Sequence, residues 1–163
     1  PEKELVMSVQ TSEPKATSPW LPPRWFIHFF WLNHRRVYRA SRGRVGLWRP
    51  KSDRWGAMCL VVPGRRTAQE RRVILGYFED GDNLVTMAMN GWQPGEPAWW
   101  LNVQAHPDVE VVTVDGARRV RGRAAGGEER ERLWARWREI DEHLDQYAAR
   151  RHGETAVVVF EPR

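Results

Sequence analysis

The sequence predicts a mainly β fold with flanking helices, a closed or split barrel of six to seven antiparallel strands. Three observations carry that expectation. Seven short β-rich runs follow one another from residue 44: RVGLWRP, WGAMCLVVP, RRVILGYFED, DNLVTMAM, DVEVVTVD, ARRVRGRAA and ETAVVVFEP. Glu-Asp-Gly-Asp at 79–82 and Val-Asp-Gly-Ala at 114–117 are hairpin signals between consecutive runs. No GxGxxG or Walker loop follows any of them, so a doubly wound nucleotide fold is not expected.

The elements follow in chain order. Residues 1–19, PEKELVMSVQTSEPKATSP, are polar and without period, and are expected to be a disordered leader. Pro22 and Pro23 open a helix expected from Arg24 to about Ala40, which Ser-Arg-Gly then ends. This aromatic and basic segment, 20–42, precedes a barrel domain at 43–163. Its stretch Trp25–Leu32 is too short to cross a bilayer and runs straight into Arg35, Arg36 and Arg39. Such a helix suits an anionic membrane surface, with rings in the interface and arginines on headgroups, or else a lid packed over the domain.

Among the strands, AMCLVV and AVVVF are apolar throughout and should be buried on both faces. In ARRVRGRAA, Arg119, Arg121 and Arg123 alternate with Val120, Gly122 and Ala124, giving one solvated and one packed face. Between strands lies NGWQPGEPAWWLN, with three tryptophans in thirteen residues. Gly91, Pro94 and Gly95 are turn residues, Pro97 suits the start of a helix, and Pro107 stops it. Over 97–106 the helical period puts Trp99, Asn102, Val103 and His106 on one face. That mixed face is either a packing surface with polar ends or one wall of a ligand site. After Gly126-Gly127 a further helix carries Leu133, Trp137, Ile140, Leu144, Tyr147 and Ala148 as one apolar stripe.

Charge is distributed unevenly around the overall +5. Between Arg24 and Arg72 thirteen Lys/Arg stand against two acids, Asp53 and Glu70, a net +11; from Val73 onward eleven stand against sixteen, a net −5. A block this basic serves an anionic partner: nucleic acid, phospholipid headgroups or a polyanionic small molecule. Within it, PGRRTAQERR at 63–72 sets Arg65, Arg66, Arg71 and Arg72 beside Thr67 and a permissive Gly64. Forked cationic donors in a loop can hold phosphate or carboxylate bidentately, while the bland alternative is a hairpin made soluble by its charges. The lone Cys59 excludes a disulfide within the chain and a thiolate metal site, and fits a reducing cytoplasm. The five histidines lack metal-ligand spacing, so no metal is expected. A cytoplasmic protein is expected, peripheral on the inner membrane face if the first helix lies there.

In order, GRRT, RR, MNGW, PAWWLN, VEV, EERERLW and AVVVFEP resemble the deazaflavin-dependent nitroreductase family, also called nitroreductase/quinone reductases, from about Arg44 to Pro162. The resemblance implies a split β-barrel of the FMN-binding type and the coenzyme F420, an 8-hydroxy-5-deazaflavin whose phosphate and oligoglutamate tail are anionic. FMN is the alternative cofactor. It implies that Arg65, Arg66, Thr67 and Arg71 hold the phosphate, and that Val73 and Ile74 lie along the ring system. Met89, Asn90, Gly91 and Trp92 would form the family's turn, with Trp99 and Asn102 at the cofactor. Trp25, Phe29, Trp92 and Tyr147 would face the substrate. Tyr147 is the candidate catalytic proton donor, or else an aromatic that fills the core with its hydroxyl at the edge.

The departures are Met89 for the usual Ser, Trp92 for a Gly, Ala68 for the loop Gly and Pro63 for Thr. By the resemblance, phosphate capture would be kept and the ring and substrate end altered. The implied activity is hydride transfer from reduced deazaflavin to a small electrophilic acceptor: a quinone, an enone or imine, or a nitroaromatic. The readings from other classes are a non-catalytic cofactor-binding protein, and a lipid- or nucleic-acid-binding module using the 24–72 block, with nucleic acid not favoured. Monomer and homodimer both stay open.

Overall fold

A computed structural model describes residues 46–163 together with Pro23, Trp25 and Phe29. Six antiparallel strands close into a barrel: β1 (Gly56–Pro63), β2 (Glu70–Asp80), β3 (Asn83–Met87), β4 (Asp108–Thr113), β5 (Gly116–Ala124) and β6 (Val157–Pro162). Their order around the barrel is β1-β2-β3-β6-β5-β4, and β4 returns to β1 through Cys59↔Val112, Leu60↔Val111 and Val61↔Glu110. Over the continuous described stretch the α-helices are α1 (Ala98–Ala105), α2 (Gly127–Ile140) and α3 (Leu144–Ala148). Both expected hairpins form, with closing pairs Asp80↔Asn83 and Thr113↔Gly116. Those turns lie at one end of the barrel. The β1–β2 loop, the 88–97 segment and α1 lie at the other.

One expected strand is absent. RVGLWRP does not pair as a strand: over its described residues, Trp48 makes a single bridge to Ala57, and Lys51 bridges back to Arg54. Pro50 has no N–H to continue a ladder. Arg49 turns aside to an ion pair with Asp115. The barrel therefore has six strands.

Strand alternation explains the apolar runs. Met58, Leu60 and Val62 point inward with Tyr77, Leu84, Val111, Val120, Val158 and Phe160. Ala57, Cys59 and Val61 point outward beside Ile74. β6 likewise sends Val157 and Val159 out beneath α2 and α3. On β5, Val120 and Gly122 are buried while Arg119 and Arg121 are exposed; Ala124, at the strand end, is exposed as well.

The helix expected after Gly126-Gly127 is broken in two. At Asp141 the backbone leaves the helix (φ −128°, ψ 96°), and Asp141 Oδ1 accepts from the His143 N–H at 3.1 Å. The stripe survives the break: Leu133, Trp137 and Leu144 pack with Phe78, Val85 and Val159, and Ile140, Tyr147 and Ala148 lie against them. Arg132 forks onto Asp80 at 2.7 and 2.8 Å, and Arg123 grips both Glu129 and Glu161. Those guanidiniums hold the Asp80 and Glu129 carboxyls below their ordinary range. No helix among the described residues is long and apolar enough to cross a membrane.

The hairpin end is closed by Tyr77. A Cβ on Gly56 would lie 2.6 Å from both Pro50 N and Tyr77 Cε1. The buried Tyr77 hydroxyl has no hydrogen-bond partner among the described residues, and burial, then Glu79, push its pKa up to about 12. The folded state thus favours the neutral phenol. That contribution is fully present below about pH 10 and is lost as pH rises through about 12. It amounts to about 2–3 kcal/mol. Tyr77→Phe should leave stability at pH 7 unchanged or raised, because the phenol leaves no partner behind. It should also flatten the alkaline limb of urea denaturation between pH 10 and 12; an unchanged limb would contradict this.

Candidate cofactor site

The β1–β2 loop is compact and cationic. Gly64 N–H donates to Gln69 O at 2.8 Å, while the amides of Thr67 and Ala68 return to Gly64 O at 3.3 and 2.7 Å. A Cβ on Gly64 would come within 3.2 Å of Thr67 Oγ1 and 3.3 Å of Gln69 O, so a side chain there would press on this closure by a few tenths of an ångström. Ala68 has φ 55°, the left-handed region where glycine would be unstrained. Arg65, Arg66 and Arg71 are exposed. None of the three holds a carboxylate among the described residues, whereas Arg49, Arg121, Arg123, Arg132, Arg138 and Arg163 each do.

Helix α1 is tied to this loop. Buried Asn102 accepts from the Arg65 backbone N–H at 3.1 Å and from Arg65 Nη1 at 3.4 Å through the same Oδ1. The helix is seated by Trp100 and Val103, which enter the barrel core. Gly122 makes room for them, since its Cβ would fall 2.5 Å from Val103 Cγ1. Trp99 is half-buried against the core, its ring 6.2 Å from that of Trp100 at 60°. The expected face is altered at its end. His106 caps the helix with non-helical backbone and is exposed, and Trp100 takes the buried place.

Between Met87 and α1 the chain makes an unusual turn. Asn90, Gly91 and Trp92 have φ 49°, 59° and 61°, three left-handed residues in succession. Asn90 Nδ2 donates to Pro94 O at 3.1 Å and Gly95 O at 3.2 Å. Met89 and Trp92 belong to the outer cluster under α2 and α3. The Trp92 ring stacks on Tyr147 at 5.8 Å and 18°. Tyr147 also meets His143 edge-on and lies under the Arg150 guanidinium.

The register separates the two residues expected along the ring. Val73 packs toward the barrel interior and Ile74 toward the exterior, beside Cys59. Trp25 and Phe29 are helical and strongly exposed, 70% and 59%. The leader, the remainder of 20–42 apart from Pro23, and Arg35, Arg36 and Arg39 lie outside the described residues. No metal-binding cluster occurs among the described residues.

One buried group escapes sequence reasoning. Arg151 sits in RRHGET, a polar stretch that reads as loop, and nothing in composition distinguishes it from Arg150. Yet Arg151 is buried and bonds to carbonyls of the 88–96 segment.

Barrel, cationic loop and anchored helix define a class: a small antiparallel barrel with an arginine-rich loop at one mouth. A family model described as F420H(2)-dependent quinone reductase matches residues 31–162, and the chain belongs to that family. An F420H(2)-dependent quinone reductase of Mycobacterium tuberculosis is 36% identical over 78 residues, 48% of this chain and 51% of the relative. The chain thus spans about half the length of the curated relatives it matches. Among solved structures, an F420-H2 dependent reductase shares 26% identity with a TM-score of 0.59, covering 64% of this chain and 93% of that one. A second, described as a domain-swapped dimer, shares the fold at 23% identity and TM-score 0.61, covering 82% of this chain and 99% of that one.

Proposed function

We propose that the chain binds the deazaflavin coenzyme F420 and serves as a reductase of a small electrophilic acceptor, with a quinone as the leading class. The observation that carries this reading is the β1–β2 loop: three exposed arginines without carboxylate partners among the described residues, one of them fixed by Asn102. Unneutralised forked donors fit the coenzyme's phosphate and carboxylates better than they fit solvent. The family membership and the name of the M. tuberculosis relative support the same cofactor.

Reduced deazaflavin, when bound, supplies a hydride. The protein's share is binding, orientation and electrostatics. Arg66 and Arg71, exposed and holding no carboxylate among the described residues, are placed to reach an anionic group, and Asn102 holds Arg65 beside them. Val73 and Trp99, both partly buried at the barrel mouth, offer apolar surface to a flat ring. Trp92 and Tyr147 border the neighbouring segment, where the chain departs from the family's glycine turn.

The test is a fluorescence titration. The purified protein should bind deazaflavin more tightly than FMN, and Arg66→Ala and Arg71→Ala should each weaken binding by about 1.5–3 kcal/mol. Arg119→Ala, on the solvated face of β5, should be near neutral. Tighter FMN binding would overturn the cofactor. Equal losses at all three positions would mean diffuse attraction without a defined site.

A further inference from the structure

The cofactor reading leaves Arg151 unused. Its side chain is only 4% exposed, and it reaches from the segment after α3 into the back of the 88–96 turn. Nη1 donates to Ala88 O and to Thr155 Oγ1, each at 2.8 Å, and Nη2 donates to Gly95 O at 2.8 Å. Glu96, the one carboxylate near it among the described residues, is 3.6 Å away and partly exposed. Among the same residues Nε has no partner. A buried charge held mainly by carbonyls adds little net stability, because desolvation offsets what the bonds return. What it does is fix geometry.

The geometry concerned is strained. Asn90, Gly91 and Trp92 are left-handed in succession, and the non-glycine residues persist there only if their surroundings hold them. Arg151 bonds the carbonyl at each end of this turn, Ala88 and Gly95. Asn90 Nδ2 converges on the same Gly95 carbonyl at 3.2 Å. Two residues beyond Gly95, Pro97 opens α1, which carries Asn102 to the arginine loop. We propose that Arg151 is a positioning residue: it clamps the 88–95 turn at both ends and thereby sets the acceptor side of the cofactor site. The functional half of this inference rests on the deazaflavin reading, but the clamp itself does not.

Amide hydrogen exchange on the ligand-free protein tests the clamp. In Arg151→Met, and in Arg151→Lys, whose point charge cannot bridge the same acceptors, exchange at the Trp92 and Gln93 amides should rise about tenfold while β1 and β5 stay protected. Thr155→Val, which removes one acceptor, should give a smaller rise at the same amides. In the cofactor-loaded protein, Arg151→Ala should lower acceptor turnover by up to about 10²-fold with deazaflavin affinity changed by less than about threefold, and added guanidinium should restore turnover. Unchanged exchange at 88–97, or a uniform rise over every strand, overturns the clamp. Turnover that stays at the wild-type level overturns the functional half. If Arg151→Met fails to fold, Thr155→Val decides by the same amides. If the wild-type protein binds no deazaflavin, the cofactor reading falls and the exchange experiment still decides the clamp.

Discussion

Trp92→Ala is expected to destabilise the protein by about 3–5 kcal/mol, and Trp92→Gly by about 1 kcal/mol less, although both remove the same ring. The ring is 7% exposed and stacked on Tyr147, so its loss opens a cavity against α3. The backbone supplies the difference between the two variants. At φ 61° alanine keeps the clash of a Cβ in the left-handed region, and glycine does not. Urea denaturation should therefore rank wild type above Trp92→Gly and Trp92→Ala last. Equal midpoints for the two variants would mean that the turn relaxes out of its left-handed conformation once the ring is gone. The position has exchanged backbone comfort for an aromatic contact, which is why a turn built for glycine tolerates tryptophan here.

The second large effect is expected at Gly122. A Cβ there would meet Val103 Cγ1 at 2.5 Å and Phe160 Cε1 at 2.9 Å, and both side chains are fully buried in the core. Gly122→Ala should cost about 1–3 kcal/mol through overpacking. The consequence reaches beyond stability. Val103 is one residue from Asn102, so a helix pushed outward draws Oδ1 away from the Arg65 amide and disorders the arginine loop. Anion affinity should fall together with stability. Val103→Ala in the same chain should recover a measurable part of both losses, as a double-mutant cycle would register. Strictly additive losses would show that α1 does not depend on the space at Gly122.

These two positions mark the limit of what the residues alone disclose. The strands were legible because alternation and apolar runs report burial directly: Met58, Leu60 and Val62 inward, Ala57, Cys59 and Val61 outward. The hairpins at 79–82 and 114–117 were legible because turn chemistry is local. RVGLWRP misled because its β-rich composition hides Pro50 and the demands of Arg49. The helix stripe named the right face of α2 and α3, yet it could not reveal the break at Asp141, since a side-chain acceptor there keeps the period intact. Of the site, the arginines and Asn102 were visible as chemistry, but the bond between them spans 37 positions and follows only from closure. Arg151 was invisible for the same reason. Its partners at 88 and 95 are set by tertiary placement, and a polar loop carries no sign of burial.

Closure has one more effect. Because β4 pairs back onto β1 at Cys59–Val61, the two ends of the strand order cover part of each other's edge. Over those residues edge-to-edge strand addition, the commonest route by which β proteins stick to one another, is shut without guarding charges or prolines. Two of its seams are short, with three pairs each: β1–β4 at Cys59–Val61 and β2–β3 at Phe78–Asp80. Those are the places where the cylinder has the least backbone pairing to hold it shut.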